Sequence, residues 1–519
     1  MPSPAILPDN TAIIVAAGQC VEHVQAVSET AMSSPMDLAA TACRTTLKDA
    51  GADASEIDTI AVIRLFSDAA KIWASPFGGS NNPPESIAQR LGATPDHRIY
   101  SNASGTEPLM IMMELMQRIS RGESTMALLC GVEAIANQRA AIRQGAELDW
   151  REEHDAPLDD RQYLKRLVSD EELASGLGLP AHYYALIENA LATRLGHDPQ
   201  QHLDHMGQLF APFSAIASQN PYAQFPTAYS ATELTTPSDA NYPISLPYTK
   251  RLVAQDAVNQ SAALLLTSAG HARELGINED QWIIVEAYAQ AEDQPLTQRQ
   301  DITVSAAMSA VLASVLQQAG CQGGDFDLID IYSCFPCAVL SVCEQLDLPT
   351  DGTVPLTVTG GLPYFGGPGN NYSMHALVEM ATRLRGTQLR ALVTANGGML
   401  SKHAAAVMRT AASSERVVDW SDVNVVALEQ DRITAVSYAA APTRGAVISY
   451  TVITRRGKPD IGVILAETTD GQRFLASSVD ENVTGDMKAT SPVGRQAVVL
   501  EGGERRLFAF EQAAEQSAG

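Results

Sequence analysis

Residues 47–62 read LKDAGADASEIDTIAV, and residues 316–331 read LQQAGCQGGDFDLIDI. Leu47 and Leu316, Ala50 and Ala319, Gly51 and Gly320, Asp58 and Asp327, and Ile60 and Ile329 pair at one constant offset. A second match follows in the same order and at a slightly shorter offset: RGESTMALLCG from Arg121 against RGTQLRALVTANGG from Arg385. Chance supplies either match alone. Two in one order mark a duplicated unit, with a loop insertion or deletion between the matches.

Each copy reads alike. A helical stretch (38–50 in the first copy) ends at Ala-Gly, where glycine takes the left-handed cap that helix ends favour. A short strand follows, over 59–63 or 328–332. A second helix is predicted over 107–121 or 372–385, closed by Arg-Gly. The apolar runs MALLC and ALVTA then suit strands covered on both faces. Strand–helix alternation predicts a mostly parallel α/β structure in each half. The halves extend over about 10–270 and 280–415 and are expected to pack with pseudo-twofold symmetry.

Working outward, the chain has 519 residues, and 35 basic against 60 acidic side chains give a formal charge of −25. At roughly 150 residues per domain this predicts about three domains. Hydrophobic residues at 45% with charged residues at 18% exclude wholesale disorder. The acidic balance excludes a nucleic-acid partner, whose phosphates need clustered Lys and Arg. No apolar run is long enough for a transmembrane helix, and residues 1–20 lack the basic start of a secretory signal. A soluble, cytoplasmic protein is expected.

Seven scattered cysteines do not read as a disulfide framework. Cys334 and Cys337 form C-x-x-C, but no second ligand pair follows, so no metal site is expected there. Between about 135 and 250 the pattern breaks into a polar insertion containing His182, His197, His202 and His205. The last three are expected on the solvated face of a surface helix without carboxylate partners, again with no metal. From about 420, GAVISYTVITRRGKPDIGVILAETTDGQRFLASSV, RQAVVLEG and RRLFAFE read as five or so short strands joined by turns. That pattern suits a small antiparallel OB-like barrel with a docking or structural role.

With the duplicated halves and the insertion in place, the segments NASG (102–105), IYSCFP (331–336), TVTGGLPYFGGPGNNY (357–372) and TANGGMLSKH (394–403) resemble the thiolase superfamily. The chain looks most like the thiolase-like proteins related to sterol-carrier-protein thiolases, with an extra C-terminal β domain. The resemblance implies a five-layer α-β-α-β-α thiolase fold. It assigns 1–275 to an N-terminal half carrying the 135–250 insertion, 276–418 to a C-terminal half and 419–519 to the β domain. It implies acyl transfer on acyl-CoA thioesters, with CoA entering as part of the substrate and no separate cofactor. Thiolase folds dimerise through the first half, so a homodimer is implied; a β domain covering that face leaves a monomer.

The resemblance also locates departures. Asn102 stands where thiolases place the nucleophilic cysteine, in Asn102-Ala103-Ser104-Gly105. Tyr332-Ser333-Cys334-Phe335 keeps the cysteine and phenylalanine of the second loop but not its histidine. Gly366-Gly367-Pro368 replaces Gly-His-Pro, and Ala395-Asn396-Gly397 replaces Cys-x-Gly. Losing one member of such a catalytic set commonly costs about 10²- to 10⁴-fold in rate, so the two-cysteine cycle is not expected.

Cys334 and His403 are the candidate catalytic pair, the thiol as acid/base or nucleophile and the imidazole as a replacement base. The alternative for Cys334, a small buried apolar residue, is the less favoured of its two readings, whereas His403 reads equally as a structural residue. Asn102, Ser104, Tyr332, Gly367, Asn396 and Gly397 are expected around the substrate. Asn370 and Asn371 are expected to cap the following helix. The rival reading is a catalytically degenerate scaffold that binds acyl-CoA or a lipid-like ligand, or docks on a partner.

Overall fold

The computed structural model describes residues 7–23, 32–162, 168–414, 418–422, 435–500 and 505–511. The repeat is visible as geometry. Helix Pro35–Ala50 starts with Ser34 and Asp37 in a reciprocal capping box and stops at Gly51, whose φ of 65° is left-handed. Its counterpart Ala306–Ala319 starts at Ser305 and stops at Gly320 with φ 61°. The Ala-Gly pairs of the duplicated segments are therefore true helix stops.

Each half contributes four matched strands to one ten-stranded sheet. In the first half the order is Thr59–Ile63, Met126–Ala134, Asn259–Ser268, Ala12–Val21; in the second it is Leu328–Asp330, Ala391–Gly397, Lys402–Thr410, Ile283–Glu292. The halves meet where Ile14 pairs with Ile283. Helices Pro35–Ala50 and Ala306–Ala319 lie on the outer faces. Helices Glu107–Ser120 and Tyr372–Leu384 lie between the halves and touch strands of both, which completes the expected five layers.

The parallel pairing expected from strand–helix alternation is found for Thr59–Ile63 with Met126–Ala134 and for Leu328–Asp330 with Ala391–Gly397. The other main-body pairings of the matched strands are antiparallel. For one of them the reason is connectivity. Ala391–Gly397 and Lys402–Thr410 are joined by a tight turn, which leaves no length for a crossover helix.

The C-terminal strands Arg444–Ile453, Ile461–Glu467, Arg473–Ser478, Gln496–Leu500 and Leu507–Phe510 close into a five-stranded barrel. All its pairings are antiparallel except the one at Ser477 and Leu507. A helix, Glu481–Ala489, lies between the third and fourth barrel strands and was not expected.

The barrel is not a free appendage. The hairpin Pro243–Ser245/Tyr248–Thr249 from the insertion joins its sheet at Ile453. Asn189 of insertion helix Pro180–Arg194 donates to the Tyr450 carbonyl at 2.9 Å. Buried Arg473 donates to the carbonyls of Arg299 and Gln300 in the second half.

Candidate functional site

Three of the four expected loops converge. The 102–105 turn precedes helix Glu107–Ser120, Tyr332–Phe335 connects strand Leu328–Asp330 to helix Pro336–Leu346, and Asn396 and Gly397 end strand Ala391–Gly397. Their backbones are so close that a Cβ added to Gly105 would lie 2.3 Å from the Asn396 carbonyl oxygen and 2.6 Å from the Tyr332 hydroxyl. A Cβ on Gly397 would meet Ser104 Oγ at 2.3 Å. Glycine is needed at both positions for the close approach of neighbouring segments rather than for φ. Gly367 stands apart: its N–H donates to Gln255 O at 2.7 Å, and Ala254 N–H in turn donates to Cys334 O at 3.0 Å. It supports the Cys334 loop through segment 254–255.

Cys334 is 6% exposed, and its thiol donates to Asn396 Oδ1 across 3.7 Å. Tyr184 of the insertion donates to the same oxygen at 3.1 Å, and its ring stacks on Phe335 at 4.1 Å. The following helix N-terminus favours thiolate, by about 0.3–2 kcal/mol. Burial outweighs it and pushes the Cys334 thiol up to about 11. This is an un-ionised thiol beneath an aromatic lid.

His403 is paired with Asn396 across the two strands. Its Nε2 lies 3.0 Å from both Ser305 Oγ and Leu400 O, and burial brings it down to about 4. It lines a cavity of about 10 Å³ with Tyr332, Asn396, Leu400 and Met308; Cys334 is not among the lining residues. The structure thus gathers Ser104, Tyr332, Cys334, Asn396 and Gly397, with Asn102 at the start of the same turn as Ser104, and places His403 beside Tyr332 and Asn396 as a neutral imidazole. No thiol–imidazole hydrogen bond joins His403 to Cys334 among the described residues.

Sequence reading missed two participants. Glu107, at the first helical position, is buried, and its carboxylate is reached by the Asn102 backbone N–H. Burial raises it to about 7, against the opposing pull of the Lys402 charge. An acidic residue at a helix start usually reads as a dipole partner, which hid it. Tyr184 carried no sequence signal, because its role depends on how the insertion folds back.

Two structural expectations are corrected. Asn371 occupies the N-cap position of helix Tyr372–Leu384 but makes no side-chain capping bond, and Asn370 donates instead to Arg64 O at 2.9 Å. The histidines of the insertion are not a solvated face. His202 is 2% exposed and its Nε2 lies 2.7 Å from the fully buried Glu188 carboxylate. The solvated reading failed because Glu188 comes from the preceding helix, out of reach of helical spacing.

A duplicated α/β body with these loops at its centre defines a thiolase-superfamily fold. No family model matches the chain. It is 32% identical to a monomeric SCP2-thiolase-like protein type 1 from Mycobacterium smegmatis, with a TM-score of 0.81 over 97% of this chain and 99% of that one. The chain belongs to the SCP2-thiolase-like proteins. An acetyl-CoA acetyltransferase from Methanothermobacter thermautotrophicus is 22% identical over 363 residues, 66% of this chain and 83% of its own. An acetyl-CoA acetyltransferase from Syntrophomonas wolfei shares the fold alone, at 15% identity and a TM-score of 0.55 over 78% of this chain and all of that one. So does a chain of the Ltp2-ChsH2(DUF35) aldolase, at 16% identity and 0.57 over 78% of this chain and 99% of that one.

Proposed function

We propose that the chain binds an acyl-CoA or similar thioester at the junction of the Asn102, Cys334 and Asn396 loops without forming an acyl-thiol enzyme. The single observation that carries this is the state of Cys334: buried, un-ionised and hydrogen-bonded to an amide oxygen rather than to a base. A nucleophilic thiol needs thiolate character and access. Asn102 at the customary nucleophile position supports the same reading, since an amide can orient a thioester oxygen but not attack it. Ligand entry requires Tyr184 to leave Asn396. The seven free cysteines and acidic composition fit a cytoplasmic setting. The site chemistry calls on no group beyond the CoA of the ligand.

Calorimetry with acetyl-CoA and longer acyl-CoAs, combined with intact-mass spectrometry, tests this. Reversible binding without an acyl adduct is expected. An acyl adduct on Cys334 refutes the non-covalent reading, and absence of heat with every CoA derivative refutes the ligand class.

Glu107 favours a second reading, an acyltransferase of altered mechanism. A carboxyl near 7 at the mouth of this loop has the pKa of a neutral-pH general acid or base. Turnover of an acyl-CoA panel that vanishes in Glu107→Gln and survives in Cys334→Ala supports it; turnover unchanged in Glu107→Gln rejects it.

A further inference from the structure

We propose that His197, His202 and His205 form a divalent transition-metal site, of the zinc class, in the insertion beside the barrel. His202 and His205 are three apart on helix Pro199–Ala217 and share a face; His197 comes from the turn before it. One ring nitrogen from each lies within 4.8 Å of the others, and His197 Nδ1 and His202 Nδ1 are 3.3 Å apart. Tetrahedral zinc with Zn–N of about 2.0–2.1 Å separates its donors by about 3.3–3.4 Å. The third nitrogen therefore has to close by at most roughly 1.4 Å, within a modest ring rotation.

Two further observations point to a ligand. His202 Nε2 faces Glu188 Oε1 at 2.7 Å, so the carboxylate holds that N–H and leaves the Nδ1 lone pair to the cluster. This carboxylate–histidine arrangement is the usual outer support of a metal-bound imidazole. His205 Nε2 is occupied by Thr350 Oγ1 at 3.2 Å, while its Nδ1 is buried without a partner.

A cavity of about 30 Å³ opens on His197 and His202 and is bordered by Asn189, Tyr450 and Ser491. That volume holds one or two waters, each needing roughly 10–15 Å³. Three imidazoles plus an open position is the layout of a reactive rather than a closed structural zinc site.

The test uses the untagged full chain, stripped with EDTA, and titrates Zn²⁺ against a chromophoric chelator, with Co²⁺ absorption reporting the ligand field. One equivalent per chain is expected, with visible Co²⁺ bands from nitrogen ligation. His197→Ala, at a half-buried position, and the shape-conserving His205→Gln should each weaken binding more than the roughly 10- to 100-fold expected for Glu188→Gln. Cys334→Ala should not change it. No saturable uptake at roughly 10 µM free zinc overturns the site. So does uptake of equal affinity in both histidine variants, which places the metal on thiols elsewhere.

Discussion

Cys334 offers the sharpest measurement. With its thiol at about 11, roughly one molecule in 3,000 carries a thiolate at pH 7.5, against about one in ten for a free cysteine near 8.5. Ionisation alone therefore slows alkylation about 300-fold, and burial slows it further. The assay is iodoacetamide labelling with peptide-resolved mass spectrometry, so that the other cysteines do not interfere. The same chain unfolded in guanidinium supplies the reference rate for Cys334. Tyr184→Ala removes the ring that stacks on Phe335 and the hydroxyl that shares Asn396 with the thiol. It should raise the Cys334 rate at least tenfold by opening access, at a stability cost of about 3–5 kcal/mol. A native Cys334 rate within tenfold of the unfolded reference refutes the buried, un-ionised assignment and returns the thiol to candidate nucleophile. An unchanged rate in Tyr184→Ala refutes the lid.

Glu107, raised from 4.5 to about 7, binds its proton more tightly folded than unfolded, so its contribution favours the fold below about pH 4.5 and is lost as pH rises through 7. Glu107→Gln should match wild type near pH 4 and exceed it by up to about 3 kcal/mol at pH 8 in guanidinium unfolding; equal stabilities at pH 8 contradict the assignment. Gly105→Ala should cost about 1–3 kcal/mol, because the added methyl meets the Asn396 carbonyl, and should abolish ligand heat; a neutral variant denies that the loops touch. Arg473→Lys should lose its fork onto the Arg299 and Gln300 carbonyls and speed proteolysis between body and barrel, whereas wild-type resistance argues that the hairpin contact alone holds the barrel.

The family-level fold was legible because a duplication repeats its own punctuation. Ala50-Gly51 and Ala319-Gly320 stop equivalent helices, and MALLC and ALVTA occupy equivalent buried strands. The C-terminal strands were legible from turn chemistry between β formers, as at Thr468–Gln472. The departures from thiolase loops were also local facts, since a missing cysteine or histidine can be read without coordinates.

What the chain order did not contain was distance between segments that fold from far apart. Cys334, in a loop, and His403, at the start of a strand, belong to one half, yet burial and separate hydrogen bonds keep them from forming a pair. Glu188 and His202 sit on consecutive helices whose packing brings them to 2.7 Å, a meeting helical periodicity cannot express. Tyr184 becomes a lid, and the insertion's hairpin joins the barrel, only because the insertion folds back over the second half and the barrel. Local propensity and repetition fixed the elements; desolvation and long-range packing decided which side chains ionise, which meet and which stay covered.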